Sequence, residues 1–161
     1  ASVDEATQNS ESLPFINHPK ILLEDFFKLE MKVQIQGVIS NPPFFIESLR
    51  SNQISRDRAR HLTEDWLVNF WLKCKSLVTE VQIIVPFDVY SKWKELAHNF
   101  GFNEFRICEV YSFESDSSTV RVLCHFRSRN IDTVKEERLV LYDKKGKRSG
   151  PYTQLCAEFY L

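Results

Sequence analysis

VQIQGVISNPPFFIESLR, residues 33–50, runs an apolar strand pattern directly into two adjacent prolines with two phenylalanines behind them. Each proline ring fixes φ and restricts the residue before it, so the chain stays extended at Asn41 and no helix starts there. A plain turn would place Gly, Asp or Asn at its tip. Here the tip is aromatic, an unusual end for a strand unless something stacks on it. A strand that delivers Asn-Pro-Pro-Phe and is followed by a helix is one unit of an α/β sheet, whose strands line a ligand crevice at their carboxyl ends.

The rest of the chain extends that unit. KILLEDF (20–26) reads as a short apolar strand ending in acids, and VQIQGVIS (33–40) as a second. SRDRARHLTEDWLVNFWLKCKSL (55–77) is amphipathic, with Ala59, Leu62, Trp66, Phe70, Cys74 and Leu77 at spacings of three and four. EVQIIVP (80–86) reads as a continuous apolar strand of the kind that is covered on both faces. A helix over 88–100 follows, with Val89, Trp93, Leu96 and Phe100 on one face and Gly101 as its stop. FRICEVYSF (105–113) and TVRVLCHF (119–126) flank a polar turn and predict an antiparallel hairpin; ERLVLYD (137–143) predicts one more strand. KKGKRSG reads as a solvated turn and PYTQLCAEFYL as a short terminal helix, while residues 5–12 are helix-compatible. The expectation is one α/β domain over residues 1–161, parallel in one part and with the antiparallel hairpin at its edge.

Composition narrows the function. The chain has 161 residues, 43% hydrophobic and 27% charged, with a formal net charge of −1, so a nucleic-acid site must be a local patch. Cys74, Cys108, Cys124 and Cys156 stand far apart within apolar patterns and read as reduced core thiols of a cytoplasmic protein, with no metal site. No apolar run approaches the ~20 residues of a membrane span, and no secretion signal is visible.

NPPF has a chemical reading. An exocyclic aromatic amine is a poor nucleophile because its lone pair is delocalised into the ring. The Asn41 side-chain oxygen and the Pro42 carbonyl, stiffened by Pro43, can accept its two hydrogens and aim that lone pair. Phe44 offers a stacking face worth ~1–3 kcal/mol per base. Catalysis of this kind is positioning more than acid–base work. Just behind lies a basic cluster, Arg50, Arg56, Arg58, Arg60 and His61, which reads either as a solvated helix start or as a set of phosphate contacts.

ISNPPFF, then SLRSN, then RDRARH, resembles the bacterial tRNA1(Val) (adenine-37-N6)-methyltransferases, whose NPP-Tyr/Phe motif leads to an R-x-x-A-R-H stretch; Arg56, Ala59, Arg60 and His61 stand at those positions. VQIIVPFD with its helix and glycine, and RLVLYD…YTQLCAEFYL, resemble the later units of the same family in order. The resemblance implies a Rossmann-like class I fold, S-adenosyl-L-methionine as cofactor, tRNA as partner and a monomer without metal. It assigns Asn41, Pro42, Pro43 and Phe44 to the target amine, and Arg56, Arg58, Arg60 and His61 to RNA. Asp25 matches the acid that meets the cofactor's adenine, and Asp4 stands near the position of the ribose acid, which Ser2 occupies. The family's Gly-rich cofactor loop has no counterpart among Gly37, Gly101, Gly146 and Gly150. The chain is therefore expected to correspond to the carboxyl-terminal part of such an enzyme, without its first strand–helix unit, and to leave a gap or groove beside VQIQGVI. Two readings stay open besides it: a non-catalytic α/β binding fragment, and a methyltransferase acting on DNA adenine or protein glutamine.

Overall fold

A two-residue alternation of buried and more exposed positions runs through residues 80–86 and 121–127 and sets the layers of the sheet. The structure, a computed structural model, describes residues 3–12, 17–31, 35–42 and 53–157, with the side chains of 53–64 outside that set. It divides into two compact units, residues 1–32 and 33–161, taken separately below.

In the first unit, α1 (Val3–Glu11) is the one regular element among the described residues. KILLEDF does not form the expected strand. Its apolar residues lie largely exposed, Leu23 at 86%, and Asp25 turns the chain instead. The Asp25 carboxylate accepts the Phe27 N–H at 3.0 Å, and the Asp25 carbonyl accepts from Lys28 and Leu29. A local aspartate turn has here outcompeted a strand that finds no partner among the described residues.

The second unit contains β1 (Gly37–Ser40), α2 (Gln53–Leu77), β2 (Glu80–Pro86), α3 (Phe87–Asn99), β3 (Asn103–Phe113), β4 (Arg121–Arg127), β5 (Lys135–Tyr142) and α4 (Gly150–Leu155). Its sheet runs β1-β2-β4-β3-β5. β1 lies parallel to β2 and β5 parallel to β3, while β4 is antiparallel to both of its neighbours. The antiparallel strand is therefore interior, not at the edge as the sequence suggested. Burial explains the choice: Val122, Cys124 and Phe126 of β4 are almost inaccessible, whereas Lys135, Glu136 and Arg138 give β5 the charged character that suits an edge. The strand read from 33–40 is shorter than expected, since Ile35 and Gln36 lie outside it. Gly37 fits closely against β2, where a Cβ would stand 3.1 Å from the Glu80 carbonyl.

α2 and α3 cover one face of the sheet. Trp71, fully buried, sits edge-on to Phe126 of β4 and tilted against Phe102, with Phe70 and Trp93 completing an aromatic layer between the helices. Val81, Ile83 and Val85 of β2 point into the same layer. Large side chains of this kind stabilise by about 1.5–3 kcal/mol each when fully buried. α3 ends at Gly101, φ 88°, with the Gly101 N–H on the His98 carbonyl and the Phe102 N–H on the Ala97 carbonyl. That paired closure needs a left-handed residue, which is why glycine stands there. Glu104, buried on the helix side, accepts from the Tyr90 hydroxyl and pairs with Lys94. Burial and that carboxylate push the Tyr90 phenol upward.

On the other face the described residues of this unit leave the strands more exposed. Gln82 breaks the apolar run of β2 and is exposed, so β2 is covered on one face rather than two. In this unit α4 lies on this side, beside β5, and between α4 and the strands runs a groove of about 780 Å³ lined by Ile39, Ile84, Cys108, Leu123, Leu139 and Leu155. Among the described residues β1 pairs with β2 alone, leaving its outer edge without a strand.

Candidate functional site

Strand direction gathers the candidate site. β1 and β2 are parallel, β3 runs with them because both are antiparallel to β4, and β5 runs with β3. The carboxyl ends of these four strands therefore share one edge of the sheet. Asn41 follows Ser40 there, at the end of β1, where ligands bind in open α/β sheets.

Two features fix Asn41. The last residue of β1, Ser40, is held in register with Ile83 of β2. On the other side, the Pro42 side chain is fully buried. The backbone on both sides is thus anchored while Asn41 itself is exposed. Its side-chain amide can meet a solvent-borne group without paying much further ordering entropy. Pro43 and Phe44 lie outside the described residues, as does Arg50. Arg56, Arg58, Arg60 and His61 fall in the first half of α2, and their side chains are likewise outside the described set. Asp4 is exposed in the first turn of α1, and Asp25 forms the aspartate turn. Both belong to residues 1–32, the unit other than that of Asn41.

The four glycines are committed elsewhere. Gly37 lies inside β1, Gly101 closes α3, Gly146, φ 74°, turns the basic loop, and Gly150 opens the six-residue α4. None forms a cradle of backbone N–H groups behind a first strand, the arrangement that holds the anionic part of a dinucleotide. Among the described residues there is thus no glycine cradle of this kind for the methionine end of S-adenosylmethionine.

At the opposite end of the sheet Glu80 bridges His125 Nε2 at 2.9 Å and Arg127 Nε at 3.0 Å. The Arg127 guanidinium also stacks over Phe105 at 3.5 Å. This cluster ties β2, β3 and β4 together, and sequence spacing carried no sign of it. Cys74 and Cys124 are the core thiols expected, and burial pushes both from 9.0 up to about 12, whereas Cys108 and Cys156 are only half-buried. Among the described residues no cluster of potential metal ligands occurs, and no helix is long and apolar enough to cross a membrane.

No protein-family model matches the chain. Curated proteins do. Over 98% of its length it is 28% identical to a tRNA1(Val) (adenine(37)-N6)-methyltransferase of Actinobacillus pleuropneumoniae, covering 66% of that protein. It is 30% identical to the protein of the same name from Mannheimia succiniciproducens, covering 65% of it. Against that of Bacteroides thetaiotaomicron it is 26% identical over 100% of its own length and 68% of the relative's. A predicted O-methyltransferase from Agrobacterium tumefaciens shares the fold, with a TM-score of 0.50 over 73% of this chain and 48% of that one at 15% identity. The chain, which spans about two thirds of the length of these curated proteins, is similar to tRNA1(Val) (adenine(37)-N6)-methyltransferases over nearly all of its own length.

Proposed function

We propose that this protein serves the S-adenosylmethionine-dependent N6-methylation of an adenine in tRNA, with Asn41 holding the target amine. The observation that carries this reading is the setting of Asn41, exposed between a registered strand end and the buried Pro42 at the carboxyl edge of the sheet. An acceptor at that spot, together with the Pro42 carbonyl, takes both hydrogens of an exocyclic amine and turns its lone pair outward. Reaching the amine requires the adenine to leave its stack, and Phe44 is the proposed surface that receives it. Arg56, Arg58, Arg60 and His61 are the proposed phosphate contacts on α2. Asp4 and Asp25 are proposed at the ribose and adenine ends of the cofactor. In keeping with its relatives' names the partner is tRNA, and we place the protein in the cytoplasm, acting as a monomer without metal.

The test is Asn41→Ala in cells whose only copy of the gene is the variant, with N6-methyladenosine measured in purified tRNA by mass spectrometry. Loss of one positioned polar group of this kind costs on the order of 10²–10³ in rate. Methylation should fall to background while the protein accumulates normally. A variant that keeps more than about a tenth of the wild-type rate removes Asn41 from the amine site. A second reading, a non-catalytic α/β module that binds RNA, is favoured by the commitment of all four glycines to other structural tasks. Wild-type protein that binds tRNA but supports no methylation would establish it.

A further inference from the structure

The carboxyl edge of the sheet carries a second feature, at the end away from Asn41. Lys144, Lys145, Lys147 and Arg148 project from the loop between β5 and α4, all exposed. This loop is built rather than loose. The Asp143 carboxylate accepts the Lys145 N–H at 2.8 Å and the Lys147 N–H at 2.9 Å, and the Asp143 N–H donates to the Lys147 carbonyl. Gly146 supplies the left-handed residue the turn needs. The only acid of the loop is thus spent on its own backbone, and among the described residues Lys144, Lys145 and Lys147 form no ion pair.

Beside the lysines lies an aromatic pair. The loop folds back so that Arg148 bridges Tyr142, the last residue of β5, and Tyr142 stands 5.9 Å from Phe113, the last residue of β3. Both rings are well exposed, Phe113 at 41% and Tyr142 at 37%. The acids of the neighbouring turn are engaged: Asp116 accepts the Phe113 N–H at 2.9 Å, and Glu114 pairs with Arg138 at 3.7 Å. Exposed aromatic faces next to unpaired cations are what a nucleic-acid strand uses, bases on the rings and phosphates on the ammonium groups.

We propose that Lys144, Lys145 and Lys147 with the Phe113–Tyr142 pair form a second RNA-binding surface, which grips a part of the substrate flanking the methylated adenine. The inference rests on RNA being the substrate of the Asn41 site. β1 and β5 are the outer strands of a five-stranded sheet, so about 19 Å of sheet edge separates the two sites at ~4.8 Å per strand. One base cannot reach both. The second surface instead sets where along the RNA the adenine presents itself, and its positive charge opposes the overall charge of −1 of the chain.

The test is fluorescence anisotropy of an unmodified tRNA transcript with the full chain across a salt series. Combined Lys144→Ala, Lys145→Ala and Lys147→Ala should weaken binding and flatten the log–log salt slope by about 0.7–0.9 for each phosphate that the protein no longer neutralises. Phe113→Ala with Tyr142→Ala should weaken binding about 5-fold or more and leave that slope unchanged. Lys75→Ala, a charge control on α2, should move neither, and thermal melts of all variants confirm folding. A triple-lysine variant with the wild-type slope overturns the second surface while tRNA binding by the wild type leaves the Asn41 reading standing. A wild-type chain that binds no tRNA overturns both.

Discussion

The two faces of the sheet are made by alternate residues of the same strands, yet they have opposite fates. On one, Val81, Ile83, Val85, Val122, Cys124 and Phe126 are all at most 3% exposed beneath α2 and α3. On the other, Ile39 is 82% and Leu123 40% exposed above an open groove. Leu123 and Cys124 are neighbours in the chain. What separates them is the side chains that the helices bring, not their own hydrophobicity. Stability is therefore concentrated in the aromatic layer, and substitutions should reveal the asymmetry.

Trp71→Ala should break the comparison most severely. It removes the ring at the centre of the covered face, packed against Phe70, Trp93, Phe102 and Phe126. A loss of about 3–5 kcal/mol is expected in urea unfolding. A loss below ~1 kcal/mol would mean that the covered face does not carry the fold.

The thiols sharpen the same contrast through pH. Cys74 and Cys124 on the covered side keep their protons to about 12, against 9.0 for an unhindered thiol. Above pH 9 the unfolded chain therefore binds fewer protons than the folded one, so stability falls as pH rises. The loss should approach about 1.4 kcal/mol per pH unit for each thiol, and Cys74→Ala with Cys124→Ala should flatten it. Cys108, half-buried in the groove, should be alkylated before either of them at neutral pH. Mass spectrometry of alkylated peptides reads the order, and modification of Cys124 first would contradict the burial described.

The smallest effect belongs to the open face. Leu123→Gln should change stability by no more than about 0.5 kcal/mol, because the side chain loses little cover. A cost of ~2 kcal/mol would show that something covers this face in solution.

The elements were legible where the signal is local. Gly101 ended its helix, Trp93 and Leu96 marked its buried side, and the hairpin of β3 and β4 followed from alternation around a polar turn. The Asn-Pro-Pro stretch put Asn41 at a strand end, and the order of motifs pointed to the relatives later found. These depend on backbone restriction and periodicity within about ten residues, which a sequence displays directly. Partner choice does not. Nothing in TVRVLCHF says that it lies between EVQIIVP and FRICEVYSF, nothing in KILLEDF says that Asp25 will turn it, and one-sided cover of EVQIIVP depends on where helices settle. The meeting of Phe113, Tyr142 and the lysine loop is likewise a consequence of β3 and β5 lying side by side and parallel. Strand pairing joins residues distant in the chain through backbone groups that every residue shares, so its pattern is decided by the whole layer and becomes visible only in the folded sheet.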